Sequence, residues 1–360
     1  MSKYFSLVII LTLLIGCATD AQKNGSIKKT KEETAYPYAL LQDFAGHPIV
    51  FYNVENLFDT LDTPGVNDEE YTPSSEKKWN TEKYNDKLQK LAKAITTPAN
   101  NRPVLLGLCE VENAHVVRDL ILTAPLNASK YRIAHFDSPD GRGIDVALAY
   151  DLERFYVVHQ EAVPVVFMDP TERPTRDILY VKGVLQDSLE LHVFINHWPS
   201  RYGGEEASRP KRERAAIALR HKTDSILNVQ PNANILIMGD LNDHPYNESV
   251  ELVLGAKHPV KSAESSLLNL QYPANDRGEG TYSYKGEWGI LDHIIVSTNL
   301  YNGKNKLKVK PQVSHIVYEE FLLYKNKDGE ASPSRSYGGN NYFGGYSDHL
   351  PIYIYLEKVK

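Results

Sequence analysis

Short apolar runs that end directly in acidic, amide or histidine side chains recur along this chain and constrain its fold more than any other feature. In residues 235–245, ILIMGDLNDHP, four apolar residues lead into Asp240, Asn242 and Asp243. Such a run predicts a buried strand whose end presents polar side chains at a sheet edge. Taken alone, the stretch is equally well explained as a strand followed by an ordinary Asp/Asn turn.

The same pattern recurs in other segments, which favours a shared site over a set of unrelated turns. The polar residues that lie at or near these further apolar runs are Asn53, Glu110, His197, Asp292, Asp348 and His349. Glu110 and Glu112 are two residues apart, so a regular strand would place both on one face, whereas a turn would aim them in different directions. Glu112 also suits the start of a helix at Asn113.

The remaining periodicity alternates between strand and helix. Tyr84, Leu88 and Leu91 have helical spacing, with a cap at Asn80 or Thr81. Strands are predicted at 131–136, 144–150, 154–159, 178–185 and 189–195, a helix in the later part of 200–227, and a hairpin around 285–288 whose second strand carries Asp292. This alternation favours α/β layers over an all-β sandwich.

The amino-terminal residues predict export. Residues 1–17, MSKYFSLVIILTLLIGC, carry an early lysine and an apolar segment too short to span a bilayer comfortably, and residues 14–17 resemble a bacterial lipobox whose Cys17 receives lipid. A plain secretory signal and a buried strand are the alternatives. The lysine-rich residues 18–45 are expected to form a flexible tether to a domain over 46–360. We therefore expect a lipid anchor on the bacterial cell envelope, at its periplasmic or outer surface.

Composition limits the partners and the sources of stability. The net charge of -6 provides no overall basic field, so a polyanionic substrate would need bound cations or a local patch such as residues 200–222. That patch is otherwise explained as a solvated helix face. Only two cysteines occur, Cys17 and Cys109, so a lipid on Cys17 leaves no pair for an intramolecular disulfide. No cysteine or paired-histidine cluster supports zinc.

Six ordered segments, YNVENLFD, GLCEVEN, NHWPS, GDLND, LDHIIVS and SDHLPI, resemble the motif set of the endonuclease/exonuclease/phosphatase superfamily over residues 49–356. The resemblance implies an α/β DNase I-like fold, a four-layer sandwich of two mainly antiparallel or mixed β-sheets flanked by helices. It also implies hydrolysis of a phosphate ester with Mg²⁺ or Mn²⁺. Glu110, Asn53 and Asp348 match positions at or near the metal, and carboxylate and amide oxygens suit such hard cations.

The resemblance assigns catalytic roles to five further residues. His349 matches the general base, and Asp292 matches the carboxylate that orients it. Asp240 and Asn242 match the pair that positions water and phosphate, with a metal role also open to them. His197 matches the residue that hydrogen-bonds the phosphate or protonates the leaving oxygen. His293 and Asp243 are expected to be structural.

The best candidate substrate is DNA or RNA, with Arg142, Arg201 and the loop of residues 337–346 as substrate contacts. NHWPSRYGGE followed by SRPKR resembles secreted bacterial nuclease-like members. The segments GDLNDHP and ILDHIIVS depart from the patterns GDxNYR and WCDR of inositol 5-phosphatases. A lipid or sugar phosphate is the alternative substrate, and a non-catalytic binding module is the alternative function. The expected partners are the phosphate substrate and the membrane, and the chain is expected to be a monomer.

Overall fold

The structure is a computed structural model that describes residues 46–99, 102–186, 188–261 and 265–359. The predicted export signal, the lipid site at Cys17 and the tether of residues 18–45 lie outside the described residues. Within the described ranges, no helix is long and apolar enough to cross a membrane.

The described chain contains twenty strands and five α-helices, besides short 3-10 and π turns. In chain order the strands are β1 (His47–Leu57), β2 (Leu105–Val111), β3 (Tyr131–His135), β4 (Asp145–Asp151), β5 (Phe155–Val163), β6 (Ile178–Leu185), β7 (Leu189–His197), β8 (Ile235–Asp240), β9 (Ala256–Lys257), β10 (Leu267–Asn269), β11 (Tyr282–Tyr284), β12 (Glu287–Gly289), β13 (Asp292–Ser297), β14 (Leu307–Val309), β15 (His315–Ile316), β16 (Leu323–Lys325), β17 (Ala331–Pro333), β18 (Tyr337–Gly338), β19 (Asn341–Tyr342) and β20 (Ile352–Lys358). The helices are α1 (Thr81–Thr96), α2 (Ala114–Ile121), α3 (Glu205–Val229), α4 (Tyr272–Asp276) and α5 (Thr298–Asn302).

Two mixed sheets of seven strands each form the centre of the fold. The first sheet has the order β14-β20-β1-β2-β4-β3, with β15 also paired to β20, and the second has the order β5-β6-β7-β8-β13-β10-β9. Strands β1 and β2 are parallel, as are β7 and β8, while β20 and β13 run antiparallel to β1 and β8. The carboxyl ends of β1, β2, β7 and β8 therefore lie near the starts of β13 and β20.

Helices cover the outer faces of both sheets. Helices α1 and α2 contact the first sheet, and α3 packs on the second through Ala215, Ala216 and Leu219. Asn80 caps α1, as predicted, because its side-chain oxygen accepts a hydrogen bond from the amide of Lys83 at 3.0 Å. The predicted four-layer α/β sandwich is confirmed.

Burial on both faces explains the continuous apolar runs. In β8, Leu236 and Met238 face the first sheet, while Ile235 and Ile237 face α3. The two sheets approach closely at Gly107 of β2, where a Cβ atom would lie 2.9 Å from Cδ1 of Ile195 in β7. A side chain at this position would therefore require the neighbouring side chains to shift.

One strand prediction is wrong. The hairpin around residue 285 consists of β11 and β12 alone, and Asp292 lies on the separate strand β13, which joins the second sheet between β8 and β10. A break after Gly289 allows the chain to leave the hairpin before it pairs with β8. Asp292 is thereby placed opposite Asp240.

Candidate active site

Neighbouring strands of the second sheet present three polar side chains at one rim. His197 at the end of β7 pairs in register with Asp240 at the end of the parallel β8, and Asp240 pairs with Asp292 at the start of β13. All three side chains are almost completely buried. The first sheet contributes Asn53 from β1 and Glu110 from β2 to the same rim.

The backbone is distorted where the site side chains leave their strands. Four of the eight non-glycine residues with positive φ in the described chain are Glu55, Asn56, Glu110 and Asn242. The pairing of β1 with β2 shifts register after Asn53, and that of β2 with β4 shifts after Cys109. Such bulges redirect side chains, and backbone strain of this kind clusters at functional sites.

His349 is held between two carboxylates. Its Nδ1 lies 2.7 Å from Oδ2 of Asp292, and its Nε2 lies 3.7 Å from Oδ2 of Asp240. Burial lowers the pKa of His349, but the attraction of Asp292 and Asp240 outweighs it and raises the pKa well above the usual value. Burial also raises the pKa of the Asp240 carboxyl, to about 7.

An amide links the carboxylates of the two sheets. The side-chain nitrogen of Asn53 donates to Oδ2 of Asp240 at 3.0 Å and to Oε1 of Glu110 at 3.4 Å, while its oxygen accepts from the amide of Glu55 at 3.0 Å. In this orientation the nitrogen, not the oxygen, faces the carboxylates. The other oxygen of Glu110 accepts from the amide of Asn56 at 2.9 Å.

Glu110 and Glu112 diverge because of the bulge in β2. Glu110 has φ 61 and turns toward Asn53, whereas Glu112 accepts hydrogen bonds from the amide of Asp59 at 2.7 Å and from Oγ1 of Thr63 at 3.2 Å. Burial raises the pKa of Glu112 to about 7. Glu112 therefore supports the loop after β1, and the turn alternative for this pair is the one the structure adopts.

The side chain of His197 lies beside the carboxylates of Glu110 and Asp240. Its Nε2 lies 3.8 Å from both Oε1 of Glu110 and Oδ2 of Asp240, and its Nδ1 has no partner among the described residues. Burial, followed by the positive charges of Arg176 and Arg142, keeps the pKa of His197 well below the usual value. His197 is therefore a neutral hydrogen-bonding group.

Arg176 is a site residue that the sequence reasoning missed. It is 5% exposed, and its guanidinium donates to Oδ2 of Asp140 at 2.8 Å and to the carbonyl of Trp198 at 2.7 Å. Its Nε has no partner within the described chain. Asp140 also pairs loosely with Arg142, whose side chain is half exposed, at 3.6 Å. Arg176 precedes its strand β6, so it lacks the pattern of a polar residue that follows an apolar run.

The loop after β8 is held by Arg201 and by the buried Arg212. Nε of Arg201 donates to the carbonyl of Asn242 at 2.8 Å, and Nη2 reaches Oδ1 of Asp243 at 3.2 Å. The side chain of Asn242 donates to the carbonyl of Trp198 at 3.0 Å. Arg212 pairs with Asp243 at 2.7 Å. The donors of Arg201 are thus engaged by the loop that carries Asn242 and, through Nη1, by Glu205 of α3 at 2.9 Å.

Asp348 lies at the edge of the site beside two residues that were not predicted. Nη2 of Arg335 donates to Oδ2 of Asp348 at 3.1 Å, and Nε of Arg335 lies 3.4 Å from Oε1 of Glu55. Burial and the negative charge of Glu55 raise the pKa of Asp348 to about 7. Glu55 is buried, and it also accepts a hydrogen bond from the amide of Ser336 at 2.6 Å.

The donor set fits a divalent cation that prefers oxygen. Asp240, Asp292 and His349 lie close enough together to share an ion, and Oδ1 of Asp292 is buried without a partner among the described residues. Glu110 adds a further carboxylate beside Asp240. Several buried carboxylates are costly unless positive charge compensates them, and hard oxygen ligands match Mg²⁺ or Mn²⁺.

The basic residues of α3 are largely paired with carboxylates. The ion pairs are Arg209 with Glu206, Lys211 with Glu172, Arg212 with Asp243, Arg220 with Asp224 and Lys222 with Glu161. The patch of residues 200–222 therefore carries little uncompensated charge for a polyanion.

Solved structures with the same fold have diverse names. The mannosyl-6-phosphatase of Bacteroides thetaiotaomicron is 15% identical with a TM-score of 0.53, and the match covers 86% of this chain and 99% of that chain. The human nocturnin catalytic domain with bound sulfate is 16% identical at TM-score 0.53, covering 90% and 100%. D. rerio TDP2 complexed with a single-strand DNA product is 16% identical at TM-score 0.53, covering 88% and 100%. No curated protein matches the chain.

The sequence model of one family matches almost all of the described chain, from residue 48 to residue 358. The match spans both sheets and every strand end that contributes a side chain to the site. The chain is a member of the endonuclease/exonuclease/phosphatase family, whose members are metal-dependent phosphoric ester hydrolases.

Proposed function

We propose that this chain is a divalent-metal-dependent phosphodiester hydrolase that cleaves DNA or RNA. The observation that carries the proposal is the placement of His349 between Asp292 and Asp240, with Asn53 linking Asp240 to Glu110. A histidine oriented by one carboxylate and facing a second can remove a proton from water once a cation bound to the neighbouring carboxylates offsets the negative charge that raises the pKa of His349. The surrounding carboxylates give a cation a binding site.

The chain's own residues orient and activate the water. Asp292 accepts the hydrogen bond from Nδ1 of His349, which leaves Nε2 of His349 directed at the reacting water near Asp240. Asn53 and the amide of Asn242 bind Asp240 from two sides at 3.0 and 2.9 Å and fix its carboxylate. A cation held by the carboxylates of Glu110 and Asp240 would neutralise charge on the phosphoryl and leaving oxygens.

His197 is assigned to hydrogen bonding of the phosphate. Its lowered pKa makes it a poor proton donor to a leaving oxygen, whereas a neutral imidazole can donate one hydrogen bond to a phosphoryl oxygen. The nearby Arg176 supplies fixed positive charge that favours an anion in the same place. These residues stabilise the transition state through charge.

The test is hydrolysis of single-stranded DNA, duplex DNA and RNA by the purified chain with Mg²⁺ or Mn²⁺. We expect cleavage that stops with EDTA and that is lost in His349→Ala, with the unfolding temperature unchanged. His115→Ala removes an exposed histidine and serves as the matched control. If wild-type protein cleaves none of the three nucleic acids, the nuclease proposal is wrong.

A sugar or lipid phosphate is the second candidate substrate, because the ion pairs on α3 leave little free charge there for a long polyanion. Relatives with this fold bear names as different as mannosyl-6-phosphatase and nocturnin, so the fold alone does not choose. Sugar phosphates and phospholipids belong in the same screen. Ligand binding without turnover of any of them would instead support a binding module.

Export and lipid anchoring are part of the proposal. The apolar segment followed by Cys17 supports it. We expect labelled palmitate to enter the wild-type chain and the chain to fractionate with membranes, whereas Cys17→Ser loses both properties. Unlabelled wild-type chain would contradict the proposal. The proposed monomer is tested by the mass measured in gel filtration with light scattering.

A further inference from the structure

A pocket of about 160 Å³ lies beside the catalytic centre. We call it the side pocket; its walls include Lys77, Lys87, Arg335, Trp79 and Tyr337. The distorted end of β1 forms another wall through Glu55 and Asn56. Loop, helix and carboxyl-terminal segments thus converge on one cavity that the proposed hydrolysis does not use.

The side pocket is directly connected to the catalytic centre. Asn56 lines the pocket and donates its amide to Glu110 at 2.9 Å. Arg335 lines it too, and its guanidinium donates to Asp348 at 3.1 Å. A group in the pocket is therefore next to a phosphate ester in the catalytic centre.

The lining carries more positive than negative charge. Lys77, Lys87 and Arg335 supply three cations, and Glu55 is the carboxylate among the residues that line the pocket. Two carboxylates outside the lining, Glu70 at 3.0 Å from Lys77 and Asp348 at 3.1 Å from Arg335, offset this excess in number. Lys87 is the lining cation without an ion pair in the described chain, so an incoming anion would find its complementary charge there.

Lys87 is the least solvated of these cations. It is 2% exposed, and its ammonium donates to Oγ of Ser336 at 2.6 Å and reaches the carbonyl of Tyr346 only at 3.5 Å. An ammonium has three donors, so within the described chain Lys87 keeps hydrogen-bonding capacity for a ligand. Burial lowers the pKa of Lys87, and a bound anion would favour the charged form.

The walls of the pocket are held in place before any ligand binds. The ammonium of Lys77 lies 4.4 Å from the ring centre of Tyr71 and 5.4 Å from that of Tyr337. The hydroxyl of Tyr337 donates to the carbonyl of Lys77 at 3.0 Å, and Nε1 of Trp79 donates to the carbonyl of Phe58 at 3.1 Å. A fixed lining reduces the entropy lost on binding.

We propose that the side pocket binds a second phosphate group of the substrate, next to the phosphate that is hydrolysed. A cavity of about 160 Å³ has room for the five heavy atoms of a phosphate. A nucleobase carries no negative charge to place beside the buried ammonium of Lys87. The position of the second phosphate beside the hydrolysed one rests on the proposed function.

The second phosphate has two candidate sources: the terminal phosphate of a nucleic-acid strand and the second phosphate of a small ester. Matched substrates tested on the full-length chain distinguish them. The strand-end pairs are TpT with pTpT and TpT with TpTp, and the small-ester pair is glucose 1-phosphate with glucose 1,6-bisphosphate. We expect kcat/KM to rise at least about ten-fold with the extra phosphate in at least one pair, as one charge-assisted hydrogen bond would give. Equal kcat/KM within every pair would overturn the proposal.

Lys77→Met and Lys87→Met should each remove this preference while leaving hydrolysis of bis(p-nitrophenyl) phosphate, which has no second phosphate, within about two-fold of wild type. Lys78→Met is the matched control, because Lys78 is exposed and does not line the pocket. A preference that survives both pocket substitutions would exclude the side pocket as its source.

Inorganic phosphate provides a readout that does not need turnover. Phosphate binding, measured by calorimetry, should weaken at least about ten-fold in Lys77→Met and Lys87→Met and remain in Lys78→Met. This result would support the pocket even if the wild-type chain hydrolysed no ester, in which case only the proposed function would fail. Equal phosphate affinity in the wild type and the three variants would overturn the proposal that the side pocket binds phosphate.

Discussion

Nδ1 of His349 and Oδ2 of Asp292 lie 2.7 Å apart, and both side chains are almost completely buried. The contact brings together β13 of the second sheet and the segment before β20 of the first. It fixes the ring so that Nε2 faces Asp240 at 3.7 Å. The orientation of the His349 ring therefore depends on the carboxylate of Asp292.

Asp292→Asn should disable catalysis while retaining substrate binding. The amide presents a donor as well as an acceptor to Nδ1, so it no longer holds the ring in one tautomer or stabilises its cationic form. We expect kcat to fall by about 10²–10⁴-fold with KM changed little, as for other His/Asp pairs. Asp276→Asn, on an exposed carboxylate that pairs with His258, is the control. A kcat within about three-fold of wild type would remove Asp292 from the mechanism.

Glu110→Gln and Glu112→Gln should have different effects although the residues are two apart. Loss of the Glu110 carboxylate should raise the Mg²⁺ concentration for half-maximal activity at least about ten-fold. Substitution of a residue that only hydrogen-bonds a metal ligand already lowers metal affinity about 10–100-fold. Glu112→Gln should leave the Mg²⁺ response unchanged and lower the free energy of unfolding by about 1 kcal/mol through weaker bonds to Asp59 and Thr63. Equal Mg²⁺ responses would show that Glu110 does not serve the metal.

The regular elements could be predicted because their signals are local. Asn80 and the apolar spacing that follows it define α1, and the apolar runs of β7 and β8 come from burial on two faces. The direction of Glu110 could not be predicted in the same way. It depends on a bulge with positive φ, which is set by pairing with β1 and β4 and not by the residues of β2.

The sequence also did not predict the site residues whose partners lie far away along the chain. Arg335 reaches Glu55, 280 positions earlier in the chain, and Arg176 reaches Asp140 and Trp198. Neither follows an apolar run, so neither carried a signal. The charges of α3 were visible in the sequence, but their compensation by Glu161, Glu172 and Asp243 is a property of the fold.

His293 should make the protein less stable in mild acid. Its side chain is fully buried, and burial lowers its pKa to about 4. Nδ1 lies 2.9 Å from the side-chain nitrogen of Asn269, and Nε2 lies 2.9 Å from the backbone carbonyl of Asp243. In the unfolded chain this histidine has a pKa near 6.5, so acidification protonates the unfolded state first. The contribution of His293 to the free energy of unfolding is therefore complete above about pH 6.5 and falls as the pH decreases toward 4.

The loss from His293 alone should approach about 3 kcal/mol, since each pKa unit corresponds to about 1.4 kcal/mol. Urea unfolding of wild type and His293→Gln at pH 7 and pH 4.5 measures it. The variant should be less stable at pH 7 yet lose less stability on acidification, while His115→Gln, on an exposed side chain, behaves as wild type. Parallel losses in all three proteins would contradict the assignment.

Gly107→Ala should test how tightly sheet packing is coupled to the site. The added Cβ would lie 2.9 Å from Cδ1 of Ile195, 3.0 Å from Cδ2 of Phe51 and 3.2 Å from Cε of Met238. Relief of this crowding should cost about 1–3 kcal/mol. Because β2 also carries Glu110, separation of the sheets should move that carboxylate relative to Asp240 and lower kcat, since misplacement by about 1 Å can cost 10²-fold. Gly141→Ala, whose Cβ would meet Nδ2 of Asn67 only at 3.7 Å, is the control. Loss of stability without loss of kcat would show that the site tolerates movement between the sheets.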